Sequence, residues 1–159
     1  MKEFTVQGKR FYDDTPVTIT DPCYKKTECC AIRGVEVLSG NYNCGFCMEV
    51  STFELHGKEC RHEKMLYIAM YHENYAPENC KKELLGHVGV DSGLCGFYQN
   101  KPDYSNKEWD AFCDQMGDAL FFFTPEGFCS ITGGDGMKTV YALKNDEGKI
   151  VGLEIMCGE

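Results

Sequence analysis

Hydrophobic and polar residues alternate along several stretches of the chain, and an alternation with a period of two is typical of half-buried β-strands. Val17 and Ile19 alternate with threonines up to Asp21-Pro22, where the proline ends the first predicted strand. A further strand is predicted over 33–38. The N-terminal part of the chain therefore favours β-structure.

The middle of the chain continues this pattern. A turn is predicted at 40–41, and the alternating residues 42–50 follow it as a strand. Residues 64–72 are apolar at successive positions, which is typical of a strand buried on both faces. The polar residues 54–63 between these two strands predict a hairpin loop.

The C-terminal third also favours strands. Strands are predicted over 128–131, 139–144 and 149–157, and the turn-forming residues 145–148 join the last two as a hairpin. The inward face of the last strand is predicted to hold Val151, Leu153, Ile155 and Cys157.

One amphipathic helix is well marked. Ser105 and Glu108 have the spacing of a capping box, and Gly117 follows as the expected stop. Between them lies one apolar stripe at helical spacing, formed by Trp109, Phe112, Cys113 and Met116. We interpret Trp109 as a core anchor in preference to a ligand-stacking residue. A second, shorter helix is predicted over 78–85.

Length and composition are those of one folded domain. The chain has 159 residues, of which 43% are hydrophobic and 13% aromatic, so it can bury a sizeable core. The predicted fold class is mainly β (α+β). We expect a single antiparallel β-rich domain over 1–159, with one amphipathic helix (about 105–116) packed on it.

The net charge of -9 argues against binding to long nucleic acids, which depends on lysine and arginine neutralising phosphates. No apolar stretch near the N-terminus is typical of a signal peptide, and the apolar run at 121–123 is far shorter than the ~20 residues of a membrane span. These features predict a cytoplasmic protein without a membrane partner.

The 11 cysteines are interpreted as free thiols, because an odd number in a reducing compartment does not fit a disulfide framework. Cys44 and Cys47 form a CxxC motif, which also suggests a redox pair or half of a zinc site. On a strand, however, residues three apart point to opposite faces. A structural zinc site remains an alternative, with its other half from Cys29, Cys30, Cys60 and His62.

Three loops combine aspartate with turn-forming residues and follow predicted strands. These Asp/Gly loops are residues 20–24, 90–94 and 133–137. Their glycines permit positive φ and close backbone approach to a ligand, and their aspartates can accept hydrogen bonds from a base or sugar. The alternative interpretation is structural, since aspartate commonly caps its own turn.

No catalytic pattern is recognisable. The four histidines have no metal-binding spacing, and nucleophile-elbow, Walker A and dinucleotide-binding motifs do not occur. Asp91 with Asp135 would form a metal or acid–base pair only if folding brought them together. We therefore predict no catalytic residue, no metal and no cofactor.

Several of these motifs resemble one family. They are Asp21-Pro22-Cys23-Tyr24, Gly89-Val90-Asp91-Ser92-Gly93 with Gly96-Phe97-Tyr98, Gly134-Asp135-Gly136 before Val140-Tyr141-Ala142-Leu143, and the ending Gly148-Lys149-Ile150-Val151-Gly152-Leu153-Glu154-Ile155. In this order they are similar to the uncharacterised bacterial and phage family called domain of unknown function 4241. The chain departs from the family pattern at Met137-Lys138-Thr139. The resemblance implies a small β-rich domain without an established activity, and a phage context in which small acidic proteins counter host defence.

The leading hypothesis is a non-catalytic, homo-oligomeric binding protein that sequesters a nucleotide-like signalling ligand. The predicted ligand-binding residues are Asp21, Tyr24, Asp91, Ser92, Gly93, Phe97, Tyr98, Gly134, Asp135, Gly136 and Lys138. Among them, the aromatic residues would stack on a base. The phosphates would be bound by nearby cations, for which Lys25, Lys26, Arg33 and Lys138 are the candidates.

Two other classes of function stay open. The first is a Mg²⁺- or Mn²⁺-dependent hydrolase that uses the loop aspartates. The second is an interaction or immunity protein that binds another protein through its acidic surface.

Overall fold

The computed structural model describes residues 3–158 and forms two antiparallel β-sheets with one α-helix. The first sheet has the strand order β1-β4-β5-β11-β10-β6, and the second has the order β3-β2-β7-β9-β8. This architecture confirms the predicted fold class. The strands are β1 (Phe4–Tyr12), β2 (Val17–Thr20), β3 (Ile32–Val35), β4 (Gly40–Leu55), β5 (Lys58–His72), β6 (Lys81–Val90), β7 (Leu94–Tyr98), β8 (Phe121–Thr124), β9 (Gly127–Ile131), β10 (Gly136–Lys144) and β11 (Ile150–Met156).

The main core lies between the two sheets. Because side chains alternate along a strand, each sheet contributes every second residue to this layer. The Tyr12 hydroxyl of the first sheet donates a hydrogen bond of 3.0 Å to the Phe97 carbonyl of the second. The fully buried members of the layer are Tyr12, Val17, Ile19, Tyr42, Cys44, Ile68, Met70, Val88, Cys95, Phe97, Phe128, Val140, Leu153 and Ile155.

Helix α1 (Asn106–Met116) packs on the outer face of the second sheet. Ser105 and Glu108 form the predicted capping box, and Gly117 ends the helix with a φ of 54°. Phe112 and Met116 pack against the outer-face residues Leu94, Tyr98 and Cys129. Trp109 stacks on Phe112 with ring centroids 4.9 Å apart, so it belongs to the packing of this helix. Among the described residues, no helix has the length and apolar character needed to cross a membrane.

The long hairpin of β4 and β5 differs from the prediction in its loop. The strands pair as far as Leu55 and Lys58, so only His56 and Gly57 form the turn, both with positive φ. The predicted turn at 40–41 is wrong. These residues begin β4 and pair with the end of β1, a strand that the alternation did not indicate.

The predicted helix over 78–85 is also wrong. Pro77–Asn79 form a single 3-10 turn, and β6 follows from Lys81. Strand β6 pairs with β10 along its whole length, and these tertiary hydrogen bonds outweigh the weak helix propensity of a short segment that also contains Gly86. The C-terminal hairpin of β10 and β11 is confirmed.

Two buried thiols are expected to lower the free energy of unfolding at alkaline pH. Cys44 lies between the sheets and Cys129 under the helix, and burial raises the pKa of each thiol to about 12. In the unfolded chain a thiol has a pKa of about 8.5. A raised folded-state pKa stabilises the fold fully below the unfolded value, and this contribution is lost as pH rises from about 8.5 towards 12.

We therefore expect the free energy of unfolding to fall by about 0.8 kcal/mol for each of these thiols between about pH 7 and pH 9. Urea unfolding under reducing conditions measures this change. The Cys44→Ala variant should show a smaller loss over the same pH interval than the wild-type protein. A free energy of unfolding that is constant over that interval would contradict the assignment.

Candidate functional site

An open pocket lies on the outer face of the second sheet, on the part of that face formed by β2. Val17 and Ile19 point into the core, so the intervening Thr18 and Thr20 line the pocket. Its volume is about 400 Å³, within the range of roughly 300–1,000 Å³ usual for small-molecule sites.

Two chain segments form the walls of this pocket. One is the loop that follows β2, and the other is the segment after β7, which turns at Asn100 with a φ of 56°. The two walls are joined directly, because the Lys26 backbone N–H donates a 2.7 Å hydrogen bond to Asp103 Oδ1. The shape of the pocket therefore depends on contacts between segments far apart in sequence.

Positive charge is concentrated at this pocket. Lys25, Lys26, Arg33 and Lys101 line it, and we call it the cationic pocket. Asp103 is the one acidic residue among its lining residues in the described chain, and the Lys26 backbone already binds its carboxylate. In a protein with a net charge of -9, four cations at one concave surface are a local concentration of positive charge, of which Asp103 offsets one unit.

Lys101 is the most unusual of the four cations because its side chain is buried. The residue is only 9% exposed, and its Nζ donates to the carbonyls of Tyr24 at 2.9 Å and Pro102 at 2.8 Å. In residues 3–158 no carboxylate forms an ion pair with Lys101 within 4.0 Å. Desolvation lowers the pKa of this lysine, while Asp103 and more distant acidic groups oppose the shift.

An ammonium group has three N–H donors; two bind the carbonyls, and Nζ also lies over the Tyr104 ring, 4.7 Å from the ring centroid. A buried charge without a close counter-ion is unfavourable. An anion in the pocket would relieve that cost. Lys101 is thus the group at this site whose surroundings favour a negatively charged ligand most directly.

Asp21 directly follows β2 beside the pocket, and its carboxylate is fully buried. Oδ2 accepts hydrogen bonds from the backbone N–H groups of Asp91 at 2.7 Å and Ser92 at 2.6 Å. Oδ1 accepts from the Ser92 hydroxyl at 2.6 Å and from the Cys23 N–H at 3.0 Å. All these donors belong to the protein, so Asp21 holds two loops together instead of presenting its oxygens to a ligand.

The third Asp/Gly loop joins the other two at the same end of the molecule. The Thr132 N–H donates to the Gly93 carbonyl at 2.9 Å, and its hydroxyl donates to the Gly134 carbonyl at 2.6 Å. A Cβ atom added to Gly93 would lie 3.9 Å from Asp135 Oδ1. The three loops therefore converge, with Asp91, Ser92 and Asp135 exposed on the surface they form.

The expectation that Phe97 or Tyr98 stacks on a base is corrected by the structure. Both side chains are fully buried. Phe97 points into the core between the sheets, and Tyr98 points towards helix α1, as alternation along β7 requires. Neither ring has a free face.

Tyr24 is the aromatic candidate that does reach the pocket, where it is half-buried. Burial and the nearby Asp21 carboxylate raise its pKa to about 12, so its hydroxyl is a protonated donor at neutral pH. Lys138 lies elsewhere, on β10, where it pairs with Val88 and is close enough to Cys157 to affect that thiol. Gly134 and Gly136 are exposed in the third loop.

Within residues 3–158, no group of three or more His, Cys, Asp or Glu side chains is arranged to hold a metal ion. Cys44 and Cys47 are both buried in β4. Within the described residues the loop aspartates therefore form no group of three carboxylates around one cation position, and the Mg²⁺- or Mn²⁺-dependent hydrolase stays a prediction.

Sequence reasoning identified Lys25, Lys26 and Arg33 as cations for a phosphate, and the structure places these three at one pocket. It missed Lys101, because nothing in the local pattern distinguishes a buried lysine from a solvated one. The alternation of threonines with Val17 and Ile19 did carry a usable signal, since it puts a row of hydroxyl groups on the outer face of β2.

In comparisons with known proteins, no protein-family model, no curated protein and no solved structure matches the chain. The similarity to the family called domain of unknown function 4241 therefore stays a prediction.

Proposed function

We propose that this protein binds a small phosphorylated, nucleotide-like ligand in the cationic pocket and holds it without chemical conversion. The observation that carries the proposal is Lys101, a buried ammonium group whose hydrogen-bond partners are carbonyls, beside three further cations at one concave surface. Phosphate oxygens are strong acceptors for such charge-assisted hydrogen bonds.

The chemistry of the lining fits a polyvalent anion with hydroxyl or ring groups attached. Lys25, Lys26 and Arg33 supply exposed cations, and the guanidinium of arginine suits bidentate contact with a phosphate. Thr18 supplies a hydroxyl group on the floor, whereas the Thr20 hydroxyl already donates to the Asp21 carbonyl at 2.9 Å. Tyr24 offers a ring and a protonated hydroxyl at the wall.

Binding without conversion is supported by the residue types at the pocket. None of its lining residues in the described chain is a histidine, cysteine or serine, and Asp103 is its single carboxylate. A nucleophile paired with a general base, or a pair of carboxylates, is the usual requirement for hydrolysis. The pocket provides charge, hydroxyl groups and shape.

The phosphate of the proposed ligand binds in the cationic pocket and not at the Asp/Gly loops. Contacts from Asp91 and Asp135 to a sugar or base stay a prediction, as do assembly into a homo-oligomer and removal of a host signalling nucleotide. Asp21 leaves the set of ligand contacts, because its oxygens are buried and already occupied.

Removal of two exposed pocket cations tests the proposal. We expect the double variant Lys25→Gln/Arg33→Gln to bind the best ligand of a nucleotide panel about tenfold more weakly than the wild-type protein, since solvent-exposed charges each contribute less than about 1 kcal/mol. Titration calorimetry with linear and cyclic nucleotides, pyrophosphate and inorganic phosphate measures the affinities.

The matched control is Lys107→Gln, which removes an exposed positive charge on helix α1 away from the pocket. It should keep wild-type affinity. The same affinity in the pocket variant and the control would contradict the site. A parallel Asp91→Ala/Asp135→Ala variant reports whether the ligand also contacts the loops, and mass analysis of the recovered ligand reports whether it stays intact.

A further inference from the structure

Two adjacent thiols stand beside the cationic pocket, in the loop between β2 and β3. Cys29 is exposed and Cys30 is half-buried, and their sulfur atoms lie 3.7 Å apart. Both side chains therefore point to the same side of the loop, and neither is covered by the core. The function proposed above makes no use of them.

The loop that carries these thiols is held in place at several points. The Gly89 N–H of β6 donates a 2.8 Å hydrogen bond to the Cys30 carbonyl, and the Glu28 N–H donates to the Lys25 carbonyl at 3.0 Å. Gly89 also lies directly beneath the cysteine, because a Cβ atom added there would be 2.8 Å from Cys30 Cβ. These contacts hold the Cys30 backbone against β6 before any ligand arrives.

The spacing of the sulfurs fits a chelate better than a disulfide. A disulfide needs sulfurs about 2.05 Å apart and Cα atoms usually more than about 4.4 Å apart, whereas consecutive Cα atoms are about 3.8 Å apart. An atom that bonds both sulfurs at about 2.3 Å, with a bond angle of about 95–110°, holds them about 3.4–3.8 Å apart. The observed separation of 3.7 Å lies within that range.

The number of protein ligands available at this pair of cysteines determines which kind of atom can bind there. Zinc takes four protein ligands in structural sites and three in catalytic sites, and no group of three or more metal-ligating side chains occurs in residues 3–158. A trivalent metalloid that already carries one carbon substituent has two positions left for thiolates. Such a metalloid therefore needs two thiolate ligands, which one pair of cysteines provides.

We propose that Cys29 and Cys30 form a dithiol site that chelates a monosubstituted trivalent arsenical or a metalloid species of the same valence. In water such a compound carries two hydroxyl groups on the metalloid. Two metalloid–sulfur bonds form, two metalloid–oxygen bonds break, and the thiol protons leave in two water molecules. The oxidation states of sulfur and metalloid are unchanged, so the step needs no oxidant or reductant.

The two thiols give chelation at this site a pH dependence of known sign. The hydrogen bond from Cys29 raises the pKa of Cys30, and the Cys29 and Glu28 charges act in the same direction. Since both thiol protons leave in water, chelation releases no net proton at neutral pH, and it weakens as pH rises into the range in which the thiols ionise.

Phenylarsine oxide is the probe that tests this site. We expect the reduced protein of 159 residues to retain one equivalent in the presence of excess monothiol, as measured by mass spectrometry of the unfragmented chain. Cys29→Ser and Cys30→Ser should each weaken retention roughly 100-fold, because each leaves one sulfur and loses the chelate advantage. Cys113→Ser, which removes another exposed thiol, should retain the probe as the wild-type protein does.

Two results would overturn the proposal. One is a wild-type protein that does not retain the probe against monothiol. The other is equal retention by the Cys29 and Cys30 variants and the wild-type protein, which would place the arsenical on other thiols. Thermal unfolding of each variant without probe shows that the fold is intact, since loss of an exposed thiol should leave the melting temperature unchanged.

Discussion

The Asp21→Ala variant is expected to lose about 3–5 kcal/mol of folding stability, the largest effect of any single substitution considered for this protein. Asp21 is fully buried, and its carboxylate accepts three backbone N–H groups and one hydroxyl within 3.0 Å. Removal of the acceptor leaves these donors without partners at the junction of two loops. Equilibrium unfolding in urea measures the loss.

The variant Asp21→Asn separates the hydrogen bonds from the packing volume. The amide has nearly the volume of the carboxylate, but one of its two acceptor oxygens is replaced by an NH₂ group that faces N–H donors. It should therefore be destabilised to a similar degree. If Asp21→Asn were as stable as the wild-type protein, the hydrogen bonds would not be the source of the effect.

Asp91 and Asp135 provide matched controls, because both are aspartates with exposed side chains in the same group of loops. Asp91 contacts Asp21 through its backbone N–H, which an alanine retains. Asp91→Ala and Asp135→Ala should each change stability by less than about 0.5 kcal/mol. The contrast among three aspartates in one region would show that burial, and not residue type, determines their role.

Asp21 also shows how far the sequence predicts this site. The combination of aspartate and glycine at the ends of strands singles out three loops in the sequence, and the structure brings these loops together. The chemical role of Asp21 did not follow, because it depends on backbone groups about 70 residues away, at positions 91 and 92. Local sequence does not specify which partner a loop will meet.

The fold shows the same division between local and long-range information. Helix α1 and the hairpin of β10 and β11 depend on capping residues and short turns, so the sequence predicted them. Strand β1 and the start of β4 depend on their pairing with each other, and the sequence did not indicate this pairing. The cationic pocket belongs to the second group, since its walls come from segments that meet only in the folded chain.

Lys101→Met should abolish most of the affinity for the phosphorylated ligand while the fold persists. The substitution removes a buried charge from the pocket, and loss of a charge-assisted contact of this kind costs about 3 kcal/mol, or roughly 150-fold in Kd. Unfolding stability without ligand should stay within about 1 kcal/mol of the wild-type value, because the lost contacts with two carbonyls and the Tyr104 ring are offset by removal of a buried ammonium group without a close counter-ion. The control is Lys107→Met, which removes the charge of an exposed lysine on α1 and should leave the affinity unchanged.

The same lysine gives ligand binding a characteristic dependence on pH. Burial lowers the pKa of Lys101, so the ammonium form loses its proton at a lower pH than an exposed lysine does. A bound anion favours the charged form, and the affinity should therefore fall as pH rises through the lowered pKa, with proton uptake on binding in that range. Calorimetry in two buffers of different ionisation enthalpy measures the uptake. Lys101→Met should show less proton uptake than the wild-type protein, and equal uptake by the two proteins would show that Lys101 does not contact the ligand.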